Sequence, residues 1–256
     1  MVTAPAISTL KADPRFASLR RSLDVYYGDV DRDIAMDALY GRFVGKGGLA
    51  FDIGSHVGDR IASFRRLGAR VVALEPQPLC FEVLSQIYCC DGAVKLLNSA
   101  CGPRAGTLTL HVNSNNPTVT TASPDFIKAA DGAGGWEGQV WDREIAVPVT
   151  TLDALIAEHG MPAFVKIDVE GFEADVLAGL SNPVPTLSFE FTTIQRDVAY
   201  ACLDRLAALG PYRFNIALGE SQRFTFHQPI SAAEMREHIA ALPHDANSGD
   251  VYAVLV

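Results

Sequence analysis

Acidic residues stand at the ends of several apolar runs in this 256-residue sequence. Leu49-Ala50-Phe51 leads into Asp52, Val71-Val72-Ala73-Leu74 into Glu75, and Phe164-Val165-Lys166-Ile167 into Asp168 and Glu170. Glu190 lies within the run Thr186-Leu187-Ser188-Phe189-Glu190-Phe191. Carboxylates so placed can accept hydrogen bonds from ligand hydroxyls, neutralise a ligand cation, or take up a proton. After Asp52 comes Ile53-Gly54-Ser55-His56-Val57-Gly58, an Asp-x-Gly-x-x-x-Gly turn. It lacks the first glycine of G-x-G-x-x-G and the Lys-Ser/Thr pair of a phosphate-binding loop. A carboxylate at Asp52 would repel a diphosphate and suits a ligand that carries positive charge.

These positions need elements that bring them together. The short, nearly continuous apolar runs read as buried parallel strands. Between them lie helical patterns over 59–67, 78–88, 151–155, 170–180 and 196–209, with Leu79, Val83, Leu84 and Ile87 on one face of the second. Further strands are expected at 94–98, 107–112, 145–149, 212–217 and 251–256. Regular alternation of helix and strand implies an α/β fold with a doubly wound, mostly parallel sheet covered on both faces. Ligands of such sheets bind outside the carboxyl ends of the strands, where the strand order reverses. Asp52, Glu75, the segment from Asn98 to Ala100, and Asp168 with Glu170 all fall at such ends. A ligand with an ammonium, a sulfonium and a ribose matches that set, with the ribose on Glu75, and S-adenosylmethionine has all three.

The motifs Asp52-Ile53-Gly54-Ser55-His56-Val57-Gly58, Val72-Ala73-Leu74-Glu75-Pro76, Thr151-Leu152-Asp153 and Val165-Lys166-Ile167-Asp168-Val169-Glu170-Gly171-Phe172-Glu173 resemble the FkbM family. Its members are class I S-adenosylmethionine-dependent methyltransferases, many of them sugar or polyketide O-methyltransferases. The resemblance spans about 49–191, and the Lys-Ile-Asp-Val-Glu-Gly block is its most specific part. It implies a Rossmann-like sheet of seven strands, with Asp52 and Gly54 lining the methionine end of the cofactor. It further implies Glu75 on the ribose diol and the backbone around Ser99 and Ala100 on adenine. Ser55, His56, Gly58, Pro76 and Asp168 complete the expected cofactor contacts. His56 departs from the family, which usually has Asn there, so its side chain inherits no role.

Asp168 and Glu170, two residues apart across a strand-to-helix turn, are the candidate catalytic carboxylates; either could deprotonate or orient an acceptor hydroxyl. One of them, Glu170 above all, could instead cap the following helix. Hard Mg²⁺ favours carboxylates such as Asp168, Glu170 and Glu190, but no three ligands stand at a required spacing, and no metal is expected. Asn116, Thr118, Trp141 and Glu190 are the candidate acceptor contacts. Tyr26 and Tyr27 are read as interior packing. The other five histidines show no ligand spacing.

Net charge is −9, with no Lys/Arg-rich block, which speaks against a nucleic-acid backbone as partner. The partner expected is a small-molecule or glycan acceptor. The N-terminus has no apolar signal region and no run is long enough to span a membrane. Five cysteines without a C-x-x-C pair read as reduced thiols of a cytoplasmic protein, Cys89 and Cys90 as buried helix-end residues. Residues 1–47 are read as a helical extension, and 48–256 as the methyltransferase domain. A polar, aromatic-bearing insertion around 113–144 is read as a substrate lid. A nicotinamide-dependent oxidoreductase would want the absent G-x-G-x-x-G. A non-catalytic binding module would not be expected to keep Asp52, Glu75, Asp168 and Glu170 together. N- or carboxyl-methylation by the same fold stays open, because a donor site does not report its acceptor.

Overall fold

The computed structural model describes residues 4–256, so the first three residues of the N-terminal extension lie outside the described part. Helices α1 (Ala4–Ala12), α2 (Arg20–Tyr26) and α3 (Val30–Tyr40) come first. Asp29 starts α3 by accepting the Arg32 N–H at 3.0 Å, which satisfies one of the free donors of the first turn. Then follow β1 (Leu49–Ile53), α4 (Asp59–Arg66), β2 (Arg70–Leu74), α5 (Pro78–Tyr88), β3 (Val94–Leu97), β4 (Ala100–Cys101) and β5 (Gly106–Val112). The middle of the chain supplies α6 (Pro124–Ala130), β6 (Arg143–Thr150), α7 (Leu152–His159), β7 (Phe164–Ile167) and α8 (Glu173–Ala178). The last part is β8 (Thr186–Thr192), α9 (Arg196–Leu209), β9 (Tyr212–Leu218), α10 (Ala232–Ala241) and β10 (Ser248–Leu255).

Seven strands form one sheet in the order β3-β2-β1-β7-β8-β10-β9. All its pairs are parallel except those of β10, which runs antiparallel to β8 and β9. Every residue of β1 and β7 is buried, as two-sided coverage of central parallel strands requires. One face is closed by a core that includes Leu155, Val176, Leu203 and Ile239 from α7, α8, α9 and α10. The other holds Met36, Tyr40, Ile61, Phe64 and Leu84 from α3, α4 and α5. The preceding helices pack through Leu10, Phe16, Leu19 and Leu23 against Cys80 and Val83 of α5. No helix among the described residues is long and apolar enough to cross a membrane.

Three expectations change. The runs at 107–112 and 145–149 join β4 in a separate three-stranded sheet, where β5 and β6 pair antiparallel. Their inward residues Leu110, Val112 and Val147 make a small core of their own, so their period of two reflects one covered face rather than the double coverage of the main sheet. The helix expected from Glu170 starts only at Glu173, because Glu170 and Gly171 take φ of +54° and +86°. Cys89 and Cys90 are exposed, not buried. They follow the last turn of α5, whose packed face ends at Tyr88. Helix α10 is an addition to these expectations, although the Ser231-Ala232-Ala233-Glu234 capping box that opens it is a local signal.

Candidate active site

Strand order reverses between β1 and β7: β2 and β3 continue to one side, β8 onward to the other. A cleft of about 1060 Å³, open to solvent, lies at the carboxyl ends of these strands. Asp52, Gly54, Ser55, His56, Glu75, Pro76, Ser99, Ala100, Thr118, Asp168, Glu170 and Glu190 all line it. The pairing that aligns Ile53 with Leu74 on one side and with Ile167 on the other brings the β1, β2 and β7 ends level.

At the β1 end, Asp52 is 1 % exposed and neither carboxylate oxygen has a hydrogen-bond partner. Burial pushes its carboxyl up to about 7. A buried, unpartnered acid facing a cleft is matched by a ligand cation or donor. Gly54 turns the chain at φ +86°, and a Cβ there would run into the Asp168 carbonyl. Glu75, 6 % exposed, is held by two backbone donors: His56 N–H to Oε2 and Gln77 N–H to Oε1, both 2.8 Å. Burial raises it to about 7 against the pull of those two N–H groups. Each oxygen keeps a lone pair for a ligand hydroxyl. Near Glu75, the Asn98 amide donates to the Glu75 and Pro76 carbonyls at 2.8 and 3.2 Å. These residues fit S-adenosylmethionine: an unpaired acid for its cationic end, a close backbone approach at Gly54 and a bidentate acceptor for its ribose.

The His56 ring sits between Cys80 Sγ at 3.5 Å and Thr118 Oγ1 at 3.4 Å, edge-on to Tyr26. Burial lowers it to about 4, so it is neutral at pH 7 and serves as a hydrogen-bonding wall. Tyr26, read from the sequence as packing, lines the cleft, whereas Tyr27 is tied inside by its hydroxyl donating to the Val57 carbonyl at 2.7 Å.

The β7 and β8 ends bring Asp168, Glu170 and Glu190 together, with one oxygen of each within 4.8 Å of the others. Burial raises all three, but the Lys166 ammonium at 2.9 Å overrides this for Asp168 and holds it below the usual carboxylate range. Glu170 and Glu190 are held well above theirs, by burial and by the charge of Asp168. Glu173, rather than Glu170, caps the turn: it takes the Val169 N–H at 2.9 Å and the Gly171 N–H at 3.1 Å. Glu170 is thereby left free to face the cleft, its carbonyl fixed by the Thr121 hydroxyl at 2.6 Å.

Three residues expected at the site do not line it. The Asn116 amide donates to Gln139 Oε1 at 3.1 Å, and the Trp141 indole to the Val119 carbonyl at 2.8 Å. Both satisfy the insertion itself, where Phe126 meets Trp136 and Trp141 edge to face. Gly58 lies behind the turn at φ +87°, where a Cβ would come 2.6 Å from Leu84 Cδ2 and 2.8 Å from Tyr88 Cε2. Gly58→Ala should therefore lower stability by about 1–3 kcal/mol, the cost of overpacking added to a disfavoured φ, measured by urea denaturation.

Sequence reading passed over a charged group at the cleft's rim. Asp59 Oδ2 takes Arg32 at 2.7 Å and Arg60 at 2.6 Å, and both arginines also reach Glu220. Burial pushes Glu220 up, but Arg60 and Arg32 pull it down to about 2. Glu220 comes from the loop after β9, 160 residues from Arg60, and no local pattern could have announced it.

A model of the FkbM methyltransferase domain matches residues 52–241. No curated protein matches the chain. Among solved structures, an O-methyltransferase from Bacillus cereus in complex with S-adenosylhomocysteine is 9 % identical, aligning over 100 % of this chain and 93 % of its own with a TM-score of 0.47. A precorrin-6y C5,15-methyltransferase from Geobacter metallireducens is 14 % identical over 88 % and 87 % with a TM-score of 0.43. A TehB-like S-adenosylmethionine-dependent methyltransferase from Corynebacterium glutamicum is 9 % identical over 94 % and 96 % with a TM-score of 0.46. The family match covers most of the chain, including the Asp52 turn, Glu75 and the Asp168 turn, so this protein belongs to the FkbM family of S-adenosylmethionine-dependent methyltransferases.

Proposed function

We propose that the cleft methylates a hydroxyl oxygen of a sugar, glycolipid or related small metabolite by in-line displacement. The observation that carries this reading is the charge arrangement of the cleft. Its two buried cations are already paired, Lys166 with Asp168 and Asp250, and Arg60 with Asp59 and Glu220. A carboxylate or phosphate acceptor would meet Asp168, Glu170 and Glu190 without an unpaired cation in the cleft lining to receive it. A neutral hydroxyl meets acceptors it can bond to.

In this reading Asp52 and Gly54 hold the methionine end of the cofactor, Glu75 the ribose, and Ser99 with Ala100 the adenine side. Bound there, S-adenosylmethionine supplies an electrophilic methyl, whose bond to sulfur breaks as its bond to the acceptor oxygen forms. Asp168, ionised by Lys166, accepts the acceptor's O–H hydrogen bond and orients it; alignment supplies roughly 7–11 kcal/mol in well-placed reactions. The released proton goes to Asp168, the carboxylate of the cluster that Lys166 keeps ionised. This assigns the base to Asp168, with Glu170 and Glu190 as its hydrogen-bonding neighbours. Pro117, Thr118, Thr120 and Ala122 place the insertion against the cleft, and the 113–144 segment acts as its acceptor-facing lid.

Labelled S-adenosylmethionine offered with a panel of neutral glycosides should give a base-stable methyl ether, with undiminished yield in EDTA. A base-labile ester or a methylated amine as the sole product would overturn the hydroxyl assignment, and activity abolished by EDTA would make a metal part of the site.

A further inference from the structure

Lys166 lies in the middle of a strand whose residues are all buried, and its own side chain is 0 % exposed. Its ammonium donates to Asp168 Oδ2 at 2.9 Å and to Asp250 Oδ1 at 2.7 Å. One carboxylate would suffice to neutralise a buried lysine, and an apolar residue would pack there without any desolvation cost. The second carboxylate changes the balance. With Asp250 present, the three groups carry a net negative charge, and Asp168 is the member that opens on the cleft, its side chain 31 % exposed against 10 % for Asp250. Asp250 arrives on β10, the strand inserted antiparallel beside β8, and pairs in register with Glu190.

We propose that Lys166 and Asp250 are positioning residues: Lys166 fixes the direction of the Asp168 carboxylate, and Asp250 cancels the Lys166 charge so that the cluster as a whole stays net negative toward the cleft. The inference rests on the methyltransferase reading above. Its consequence is discrimination between the two states of the cofactor. S-adenosylmethionine carries a sulfonium charge that S-adenosylhomocysteine lacks, so an anionic wall binds the donor more tightly than the spent product.

The surrounding groups leave this charge to Asp168. Arg60 of α4 is near both Asp168 and Asp250, but its guanidinium is occupied by Asp59 and Glu220. Tyr40 of α3 and Tyr252 of β10 contribute hydroxyls that burial keeps protonated. Glu173 is turned to the Val169 and Gly171 N–H groups. Burial and the neighbouring Asp168 charge keep Glu170 and Glu190 protonated over a wider range than ordinary carboxyls.

Calorimetric titration with S-adenosylmethionine and S-adenosylhomocysteine separately, on the full chain, gives an affinity ratio that needs no acceptor. Asp250→Asn should lower that ratio by about tenfold, the effect of one unit charge over roughly 10 Å at an effective dielectric near 20, with product affinity changed by less than about twofold. Asp250→Glu should keep the wild-type ratio. Asp168→Asn should lower the ratio at least as much, because either change leaves the cluster neutral. An unchanged ratio in Asp250→Asn or Asp168→Asn, or an equal loss for both ligands, would reduce Lys166 and Asp250 to structural partners and overturn the proposal. Wild-type protein that binds neither ligand would instead overturn the methyltransferase reading beneath it.

Discussion

Glu75→Ala should weaken S-adenosylhomocysteine binding by at least about tenfold in calorimetry, with the fold intact by circular dichroism. Two hydroxyls donating to a carboxylate contribute about 1.5–3 kcal/mol each, and part is recovered by water entering the vacated space. Glu75 is rigidly held, because the His56 and Gln77 N–H groups each take one oxygen at 2.8 Å. Glu75→Gln separates charge from shape, since it keeps a backbone acceptor but cannot accept with both ends. Its affinity should fall between wild type and alanine.

The same residue makes binding depend on pH in a defined direction. Burial raises both Glu75 and Asp52 to about 7, and both must be ionised to hold ribose hydroxyls and a cationic methionine end. Affinity should therefore rise from about pH 6 to pH 8 and then level off, with a shallower rise in Glu75→Ala. Stability of the ligand-free protein moves the other way. A carboxyl raised on folding contributes stability that is fully present below its unfolded pKa and lost as pH climbs through about 7. A dissociation constant for Glu75→Ala equal to that of wild type would remove Glu75 from the ribose site. An affinity flat from pH 6 to 8 would show that neither acid gates binding.

What the sequence disclosed, and what it hid, follow from how far each interaction reaches along the chain. Asp52, Gly54, Glu75 and Asp168 were legible because a strand, a turn and a helix start are written in a few consecutive residues. The parallel sheet then levels their ends without further information. Lys166 was visible as a letter in a motif but not as the centre of an ion triad, since Asp250 is 84 residues away and reaches it only because β10 reverses direction. Arg32, Arg60 and Glu220 meet for the same non-local reason. In the insertion, the sequence sets the aromatics Trp136 and Trp141 among polar loop residues. Asn116 and Trp141 nevertheless spend their donors on Gln139 and the Val119 carbonyl, because a packed insertion must first satisfy its own buried polar groups. Glycine spacing misleads in a related way: Gly54 and Gly58 look alike in the turn pattern, yet one faces the cleft and the other faces Leu84 and Tyr88.

Gly54→Ala is the substitution with the largest expected effect. Two independent costs act at one atom. At φ +86° an L side chain is strained wherever it is placed, at about 1–2 kcal/mol. A Cβ would also overlap the Asp168 carbonyl oxygen and come within 2.9 Å of its carbonyl carbon. That carbonyl cannot retreat freely, because the Asp168 N–H is bonded to the Ile53 carbonyl at 2.9 Å and Val169 is anchored through Glu173. Relief must come from parting the β1 and β7 ends, where the sheet order reverses and the carboxylates lining the cleft converge. The expected result is a loss of about 3 kcal/mol or more in urea unfolding, combining strain with overpacking, together with cofactor binding too weak to measure. Gly58→Ala is the control: it shares the positive φ and an apolar clash behind the turn, so it should cost stability while folded protein still binds S-adenosylhomocysteine. If Gly54→Ala bound as well as Gly58→Ala at matched folded fraction, the turn would not be the floor of the cofactor site.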